Sequence, residues 1–481
     1  MLYTQLPITA LPAWAKLNDA DFLDTAVQDL GTSKGFGIAT TRALSSKDVS
    51  DTPTLLIIPH DLILSTESVE EHSKADPHFR QLLEVMKCFG LRDNAMLFLL
   101  MQLTIASVGQ QHNVGLSGPW TEYVKMLPTH IPVPTMWSEE ERYMLTGTSL
   151  ETALQAKMEK LQKEFDSLRE QTEDISWCQK CWWQDDSLRI SDWVLLDAWY
   201  RSRSLELPKS GEAMVPCLDM ANHSTKSNAY WEQVDDNKVV LLLRPDLDLE
   251  AGSEISISYG TEKSSAEMLF SYGFIDDASS VNSLILPISA FPDDPLGKAK
   301  LAVFRKPPTV SIVKEEGTVK WESPFLYLMC LNEEDGLDFG VLQEVDGSRS
   351  ALHIFWQEKN VTEEVDKFEV LMNDHPLKEV FQLRVVALLH DRIRQQLEAL
   401  YGSEEDVGTM GTLASPNRQR AVLQLRASET SILEEAFEAL DSQKQALFEN
   451  ENVVKYLGSM EGDNRREDEE AEGANEEEDF S

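Results

Sequence analysis

Two strand-rich stretches of this chain, 35–65 and 212–260, are kept apart by a helical run from 77 to 200, so any sheet that uses both must close around an insertion. In the first stretch, "GFGIATTRAL" (35–44) and "TPTLLIIPHDLILS" (52–65) are rich in β-branched and aliphatic residues with Gly or Pro at their boundaries. In the second, "AMVPCLDMANHS" is followed by "NAYWEQV", "KVVLLLRPDLDLEAGS" and "EISISYG", and "ISIS" alternates with a period of two.

The intervening run has helical spacing. "FRQLLEVMKCFG" places Phe79, Leu82, Leu83 and Met86 on one face and is expected to end at Gly90. "SLETALQAKMEKLQKEFDSLREQ" (149–171) has no Pro or Gly. "ISDWVLLDAWYRSRSLEL" (190–207) reads as a buried helix with Ser191 or Asp192 as N-cap. "SAEMLFSYGFI" (265–275) is a short helix ending in an aromatic-Gly-aromatic turn. Beyond 290 the composition is helical again, with long patterns over 376–402 and 417–457 separated by a Gly- and Ser-containing loop. These observations predict an α+β chain of five segments. They are strands in 1–71, a helical insertion in 72–200, a strand core in 201–290, an all-helical domain in 291–457 and a disordered acidic tail in 458–481.

Charge narrows the partners. Forty-three Lys and Arg against eighty-three Asp and Glu give a net charge of −40. Nucleic acid is a poor partner for such a surface, because phosphate binding needs clustered cations, whereas a basic protein suits it. The longest apolar stretch, "AMLFLLMQLTIASVG" (95–109), is too short to span a bilayer, and the N-terminus lacks the basic start and apolar core of a signal peptide. Five cysteines do not form a disulfide framework, which points to the cytoplasm or nucleus, and a monomer is expected.

Individual motifs say little in isolation. Cys178-x-x-Cys181 has no second ligand pair at zinc spacing and reads as two ordinary thiols in an aromatic-rich turn. "KGFG" (34–37) is not a dinucleotide or phosphate-loop fingerprint, but it permits close backbone approach. "LDMANHS" (218–224) offers an acid, an amide, an imidazole and a hydroxyl. As a metal site it lacks further ligands, and no metal is expected. As a nucleophile, Ser224 lacks an evident base, which leaves a polar turn as the plain reading. A strand-terminal tyrosine in "ISYG" (257–260) is commonly structural.

Taken in order, however, "KGFGIATTRAL", "SRS" (202–204), "MVPCLDMANHS" and "EISISYG" followed by "YGF" (272–274) resemble the SET domain of protein methyltransferases. The likeness is to the branch typified by the plant Rubisco large-subunit lysine methyltransferase. It covers about 25–285, with 300–457 in the place of that branch's C-terminal substrate-binding domain. No Cys-rich segment follows "YGF", unlike the zinc-bearing histone-type branch. The resemblance implies a SET fold of small sheets with a threaded, pseudoknotted Asn-His segment. It also implies transfer of a methyl group from S-adenosylmethionine to a protein lysine, on a basic target such as a ribosomal protein or translation factor. The rival readings it leaves are a protein-histidine methyltransferase and a SET-like module that has lost catalysis and binds a basic partner.

By that resemblance Tyr259 is the catalytic residue, orienting the amine and shaping the methyl channel. Lys34, Gly35, Phe36 and Gly37 would approach the cofactor, Lys34 by its backbone alone because the family often has an acid there. Asn222 would anchor the methionine part and the His223 backbone the adenine. Arg203 would face cofactor or substrate, and Tyr272 and Phe274 would wall the lysine channel and cap the adenine. Asp219 and Ser224 would brace the loop.

Overall fold

The computed structural model describes residues 1, 3–31, 34–47, 52–87, 90–107, 114–343, 349–411 and 414–459. The chain divides into two compact units. The first comprises Met1–Arg142, Thr152–Val281 and Ser415–Ala421; the second comprises Tyr143–Glu151, Asn282–Ala414 and Val422–Ser481. The acidic tail expected from 458 lies, from 460 onward, outside the described residues.

In the first unit the two strand-rich stretches pair with each other across the insertion. One antiparallel sheet has the order Asp21–Phe22, Thr54–Ile58, Val239–Leu243, Ala229–Gln233. The other runs Thr25–Asp29, Phe36–Thr40, Glu254–Ile257, Asn222–His223, and its last pair is parallel. The apolar sides of both sheets are buried, with Ile38, Leu55, Leu56, Leu241 and Ile255 fully enclosed.

The insertion supplies helices Pro77–Met86, Leu91–Ala106, Ser149–Thr172 and Ile190–Arg203. Leu91–Ala106 is enclosed on all sides, every residue from Ala95 to Thr104 being buried, as its unbroken apolar run requires. Two helix ends differ from the sequence expectation. The first helix stops at Met86 with Lys87 in the left-handed region, and Gly90 instead caps the start of the next. The helix from Ile190 has Arg189 as its N-cap, because the Asp192 carboxylate reaches back to the Arg189 amide at 2.8 Å. Among the described residues no helix is long and apolar enough to cross a membrane.

Three of these helices meet at one buried charge. Asp197 is fully enclosed and accepts from Lys157 Nζ at 2.6 Å and from Arg92 Nε and Nη2 at 3.1 and 2.8 Å, with Arg201 Nε 3.4 Å away. Arg92 also grips Glu164 through two bonds of 2.9 and 3.0 Å, and Trp193 donates to the same carboxylate at 3.1 Å. The Cys178-x-x-Cys181 pair sits where the short α-helix Ser176–Cys178 widens into a π-helical turn, Gln179–Trp183, between Trp177 and Trp182, whose rings meet edge-to-face at 4.9 Å. Burial pushes the Cys178 thiol up, so little thiolate forms.

The second unit departs from the all-helical expectation. Residues 283–360 form two three-stranded antiparallel sheets, Ser283–Pro287 with Thr309–Glu315 and Thr318–Glu322, and Leu337–Gln343 with Arg349–Trp356 and Lys359–Asn360. The reason is visible locally: Val310 and Ile312 alternate inward in "TVSIVKE", and Glu316-Gly317, both at positive φ, turn the chain into the next strand. From Lys378 the unit is helical, through Lys378–Gly402 and Pro416–Phe448. The loop expected at 402–416 holds a further helix, Glu404–Gly411.

Candidate functional site

The site lies where the second sheet of the first unit comes apart. Glu254–Ile257 pairs with Phe36–Thr40 only at Glu254↔Ala39 and Ile255↔Ile38. Continuing that register would set Gly37 opposite Ser256 and Phe36 opposite Ile257, but Ser256 instead faces Asn222, and Ile257 faces His223 and accepts from the Ser224 amide at 3.0 Å. The strands therefore splay, and Asn222 occupies the fork.

Backbone geometry at the fork follows from the hairpin. The Leu30 amide donates to Gly35 O at 2.8 Å, so Leu30 and Gly35 form a hydrogen-bonded pair, and alternation makes Phe36 face Asp29 in a non-hydrogen-bonded pair. The Phe36 N–H and C=O thus point outward, into the fork, and the Phe36 side chain is exposed. Gly37 is dictated by contact rather than by φ: an added Cβ would lie 2.7 Å from Asn222 Nδ2 and 2.5 Å from Leu30 Cδ1. Asn222 Nδ2 donates to Glu254 Oε1 at 3.0 Å, and Lys34 closes an ion pair on Oε2 of the same carboxylate.

His223 and Tyr259 are locked to each other. The Tyr259 amide donates to His223 Nδ1 at 3.0 Å, which makes Nδ1 the acceptor and puts the proton on Nε2, 3.3 Å from Asp276 Oδ2. Burial holds His223 below its ordinary pKa against the opposing pull of Asp276. Asp276 in turn accepts from the Ala278 amide at 2.9 Å and from Thr225. The sign for stability follows: the unfolded imidazole takes up a proton near its ordinary pKa of about 6.5 and the folded one resists, so stability present above that pH is lost on acidification. We expect the melting temperature of the wild type to fall more between pH 7 and pH 5 than that of His223→Asn, whose Oδ1 can replace Nδ1 as acceptor. Equal falls in thermal melts would contradict this reading.

The Tyr259 hydroxyl donates to Ala221 O at 2.9 Å, and burial pushes the phenol well up, so it stays protonated. Its ring lies 4.6 Å from Tyr272 and 5.2 Å from His223; Phe274 is 6.0 Å from His223. Tyr272 and Phe274 are delivered by helix Ser265–Tyr272, which starts on a Ser264/Glu267 capping box and ends at Gly273. Gly273 has φ +84, and a Cβ there would strike the Pro132 carbonyl at 2.5 Å, so only glycine makes this aromatic turn.

Arg203 is placed behind the fork. Its Nη1 donates to Asp219 Oδ2 at 2.9 Å and to Asp219 O at 3.1 Å, while its buried Nε has no hydrogen-bond partner. Burial works against the Arg203 charge, but Asp219 more than compensates and holds its pKa raised. Tyr123 donates its hydroxyl to the other Asp219 oxygen and accepts from the Cys217 amide at 3.0 Å. Asp219 thus fastens the chain just before Asn222, while Ser224 Oγ accepts from the Lys226 amide at 3.2 Å.

The fork thus gathers Gly35, Phe36, Gly37, Asn222 and Lys34, and the adjoining aromatic cluster gathers His223, Tyr259, Tyr272 and Phe274. Glu254, Asp276 and Tyr123 were not singled out in the sequence. Asp276 stands two residues after Phe274 and Glu254 opens the "ISIS" strand, yet neither has a spacing that announces a partner so distant in sequence. Among the described residues there is no group of three or more His, Cys, Asp or Glu able to hold a metal ion.

A sheet that forks at an Asn-His strand, with a strand-terminal tyrosine and an aromatic-Gly-aromatic turn beside it, is the SET fold. The crystal structure of the SET domain of LSMT bound to lysine and AdoHcy superposes with a TM-score of 0.67 at 17% identity, covering 93% of this chain and 94% of that one. The architecture is therefore the SET fold seen in the Rubisco large-subunit methyltransferase structures. No family model matches the chain. SET domain-containing protein 8 of Schizosaccharomyces pombe is 29% identical over 439 residues, covering 89% of this chain and 93% of that protein. The chloroplastic [fructose-bisphosphate aldolase]-lysine N-methyltransferase of Arabidopsis thaliana is 23% identical over 316 residues, 62% of this chain and 59% of that one. Human actin-histidine N-methyltransferase is 22% identical over 482 residues, 95% of this chain and 74% of that one.

Proposed function

We propose that this chain is a protein-lysine N-methyltransferase that uses S-adenosylmethionine. The observation that carries the reading is the fork itself: outward backbone groups at Phe36, a side-chain amide at Asn222 and a buried phenol at Tyr259 converge within one sheet. The donor, when bound, supplies a methyl group on a sulfonium centre, open to attack by a neutral amine.

The residues present fit that group. Phe36 offers a backbone donor and acceptor, Asn222 an amide, and the exposed Phe36 ring and Phe274 offer apolar faces for a purine. Tyr272 and Tyr259, with ring centres in contact at 4.6 Å, form one aromatic face that suits the flank of an aliphatic side chain. A free lysine has a pKa of about 10.4, and desolvation against aromatic rings beside a cation favours its neutral form. The Tyr259 phenol is protonated and already donates to Ala221 O, so its oxygen acts as an acceptor for the incoming amine N–H and sets the lone pair in line. The net charge of −40 supports a basic protein as substrate, of the kind found in the translation machinery, and the odd set of five cysteines supports a cytoplasmic or nuclear location.

Gly37→Ala tests the donor half of this reading. Leu30 can rotate away from a new Cβ, but Asn222 is tied to Glu254, so the amide is displaced from the fork. Loss of one charge-assisted contact corresponds to a weakening of about tenfold or more in S-adenosylhomocysteine affinity, read by calorimetry. Unchanged affinity would mean that the fork is not the donor site.

The activity is tested with tritiated-methyl S-adenosylmethionine in a lysate from cells lacking the chain, followed by hydrolysis of the labelled protein. Label in methyllysine is the expected result. Label in methylhistidine would move the target to the residue named for the actin-modifying relative, and no label beside intact donor binding would indicate a binding module.

A further inference from the structure

We infer that Lys263 is itself a methyl acceptor, taking a methyl group within its own chain from its place against the aromatic face of Tyr272. This rests on the lysine-methyltransferase reading above and adds to it a modification site on the protein's own surface. Lys263 lies in the loop 260–264, which joins Tyr259 to helix Ser265–Tyr272. The loop is shaped around its side chain. Gly260 has φ +143, and a Cβ there would stand 2.9 Å from Lys263 Cε and 3.2 Å from both Cδ and Cγ. The lysine stem therefore crosses the bare Cα of Gly260, and any other residue at 260 would push it aside.

The stem delivers its tip to the aromatic cluster. Lys263 Nζ is 5.9 Å from the centre of the Tyr272 ring, within cation–π range, and Tyr272 touches Tyr259. Lys263 is half-buried, yet no carboxylate among the described residues pairs with it. Glu267, on the helix that follows, is spent on the Ser264 amide at 2.8 Å. One cation–π contact is a weak tie, and a four-carbon stem is flexible, so the nitrogen can pass from the Tyr272 ring to the neighbouring Tyr259 hydroxyl. On so short a tether its effective concentration at the site is on the order of millimolar, which no dilute protein substrate matches. The ammonium first loses a proton to water. The nitrogen lone pair then forms the N–CH3 bond as the S–CH3 bond of S-adenosylmethionine breaks, and the sulfur keeps the electron pair and departs in S-adenosylhomocysteine. Methylation of a lysine keeps its positive charge, so the modified side chain can return to the Tyr272 ring.

The test is peptide mass spectrometry of the full chain after incubation with S-adenosylmethionine carrying a deuterated methyl group, beside a lysate labelled by the same protein. The expected result is deuterated methyl on Lys263, gained at a rate per chain that does not change with protein concentration. Tyr259→Phe should slow that gain by about 10²-fold. Methyl already present on Lys263 of the chain isolated from its cells, and missing from Tyr259→Phe, would support the inference equally. A chain that labels lysate proteins and leaves Lys263 bare would overturn it while the methyltransferase reading stands. A rate rising in proportion to protein concentration would move the reaction between copies and overturn the assignment within one chain. Equal labelling of wild type and Tyr259→Phe would mean uncatalysed transfer and overturn it as well. No label on Lys263 or on any lysate protein would overturn the reading and this inference together.

Discussion

Tyr259→Phe should lower methyl transfer by about 10²-fold or more while S-adenosylhomocysteine still binds. The phenol is buried, is held protonated by that burial, and donates to Ala221 O at 2.9 Å. Its hydroxyl therefore has a fixed direction and a remaining lone pair. Removing one oxygen leaves the ring in contact with Tyr272 and His223, so the aromatic face is kept and only its polar point is lost. The loss belongs to kcat, since the missing contact is one made to the attacking amine and not to the donor. Single-turnover rates with a labelled donor read it directly. A variant with unaltered turnover would remove Tyr259 from the centre of the account.

Asp197→Ala should cost about 3–5 kcal/mol of stability, the largest effect expected of any single change outside the site. Asp197 is fully buried and is the common partner of Lys157, Arg92 and Arg201. Each cation comes from one of the insertion's helices and is mostly buried, so removing the acid leaves positive charge concentrated in a poorly solvated site. Arg92 retains Glu164, and Arg201 retains Thr135 at 2.8 Å, but Lys157 has no second acid among its hydrogen bonds. The damage should spread to the site, because Arg203, two residues from Arg201, ends the same helix and fastens Asp219. Denaturant unfolding of wild type and variant measures the difference. A loss below about 1 kcal/mol would show that the cluster is hydrated and carries little.

Much of the fold was legible because period and punctuation are local. The alternation of "EISIS", the Gly-free run of 149–171 and the apolar stretch near 95 each predicted its element, and each element is present. The order of the motifs was legible too, since "KGFG", "NHS", "ISYG" and "YGF" meet at one fork. What could not be read is pairing at a distance. Nothing near Glu254 names Lys34, and nothing near Asp197 names Arg92, 105 residues away, or Lys157, 40 away. The sheets of 283–360 were missed for a different reason: their strands lie between segments whose overall composition favours helix, so the alternation of "TVSIVKE" and the Glu316-Gly317 turn was outweighed. His223 shows the opposite lesson. Its imidazole looks like a base in sequence, yet in the structure one nitrogen accepts from the Tyr259 amide and the other faces Asp276, which makes it a strut.

The most direct test of the account is the affinity of Asn222→Ala for S-adenosylhomocysteine, set beside that of the wild type in one calorimetric titration. If the Asn-His segment is a donor clasp, the wild type binds one ligand per chain and Asn222→Ala weakens it by about tenfold or more. Wild-type affinity in that variant, or no binding to either protein, would contradict the clasp and return "LDMANHS" to a polar turn.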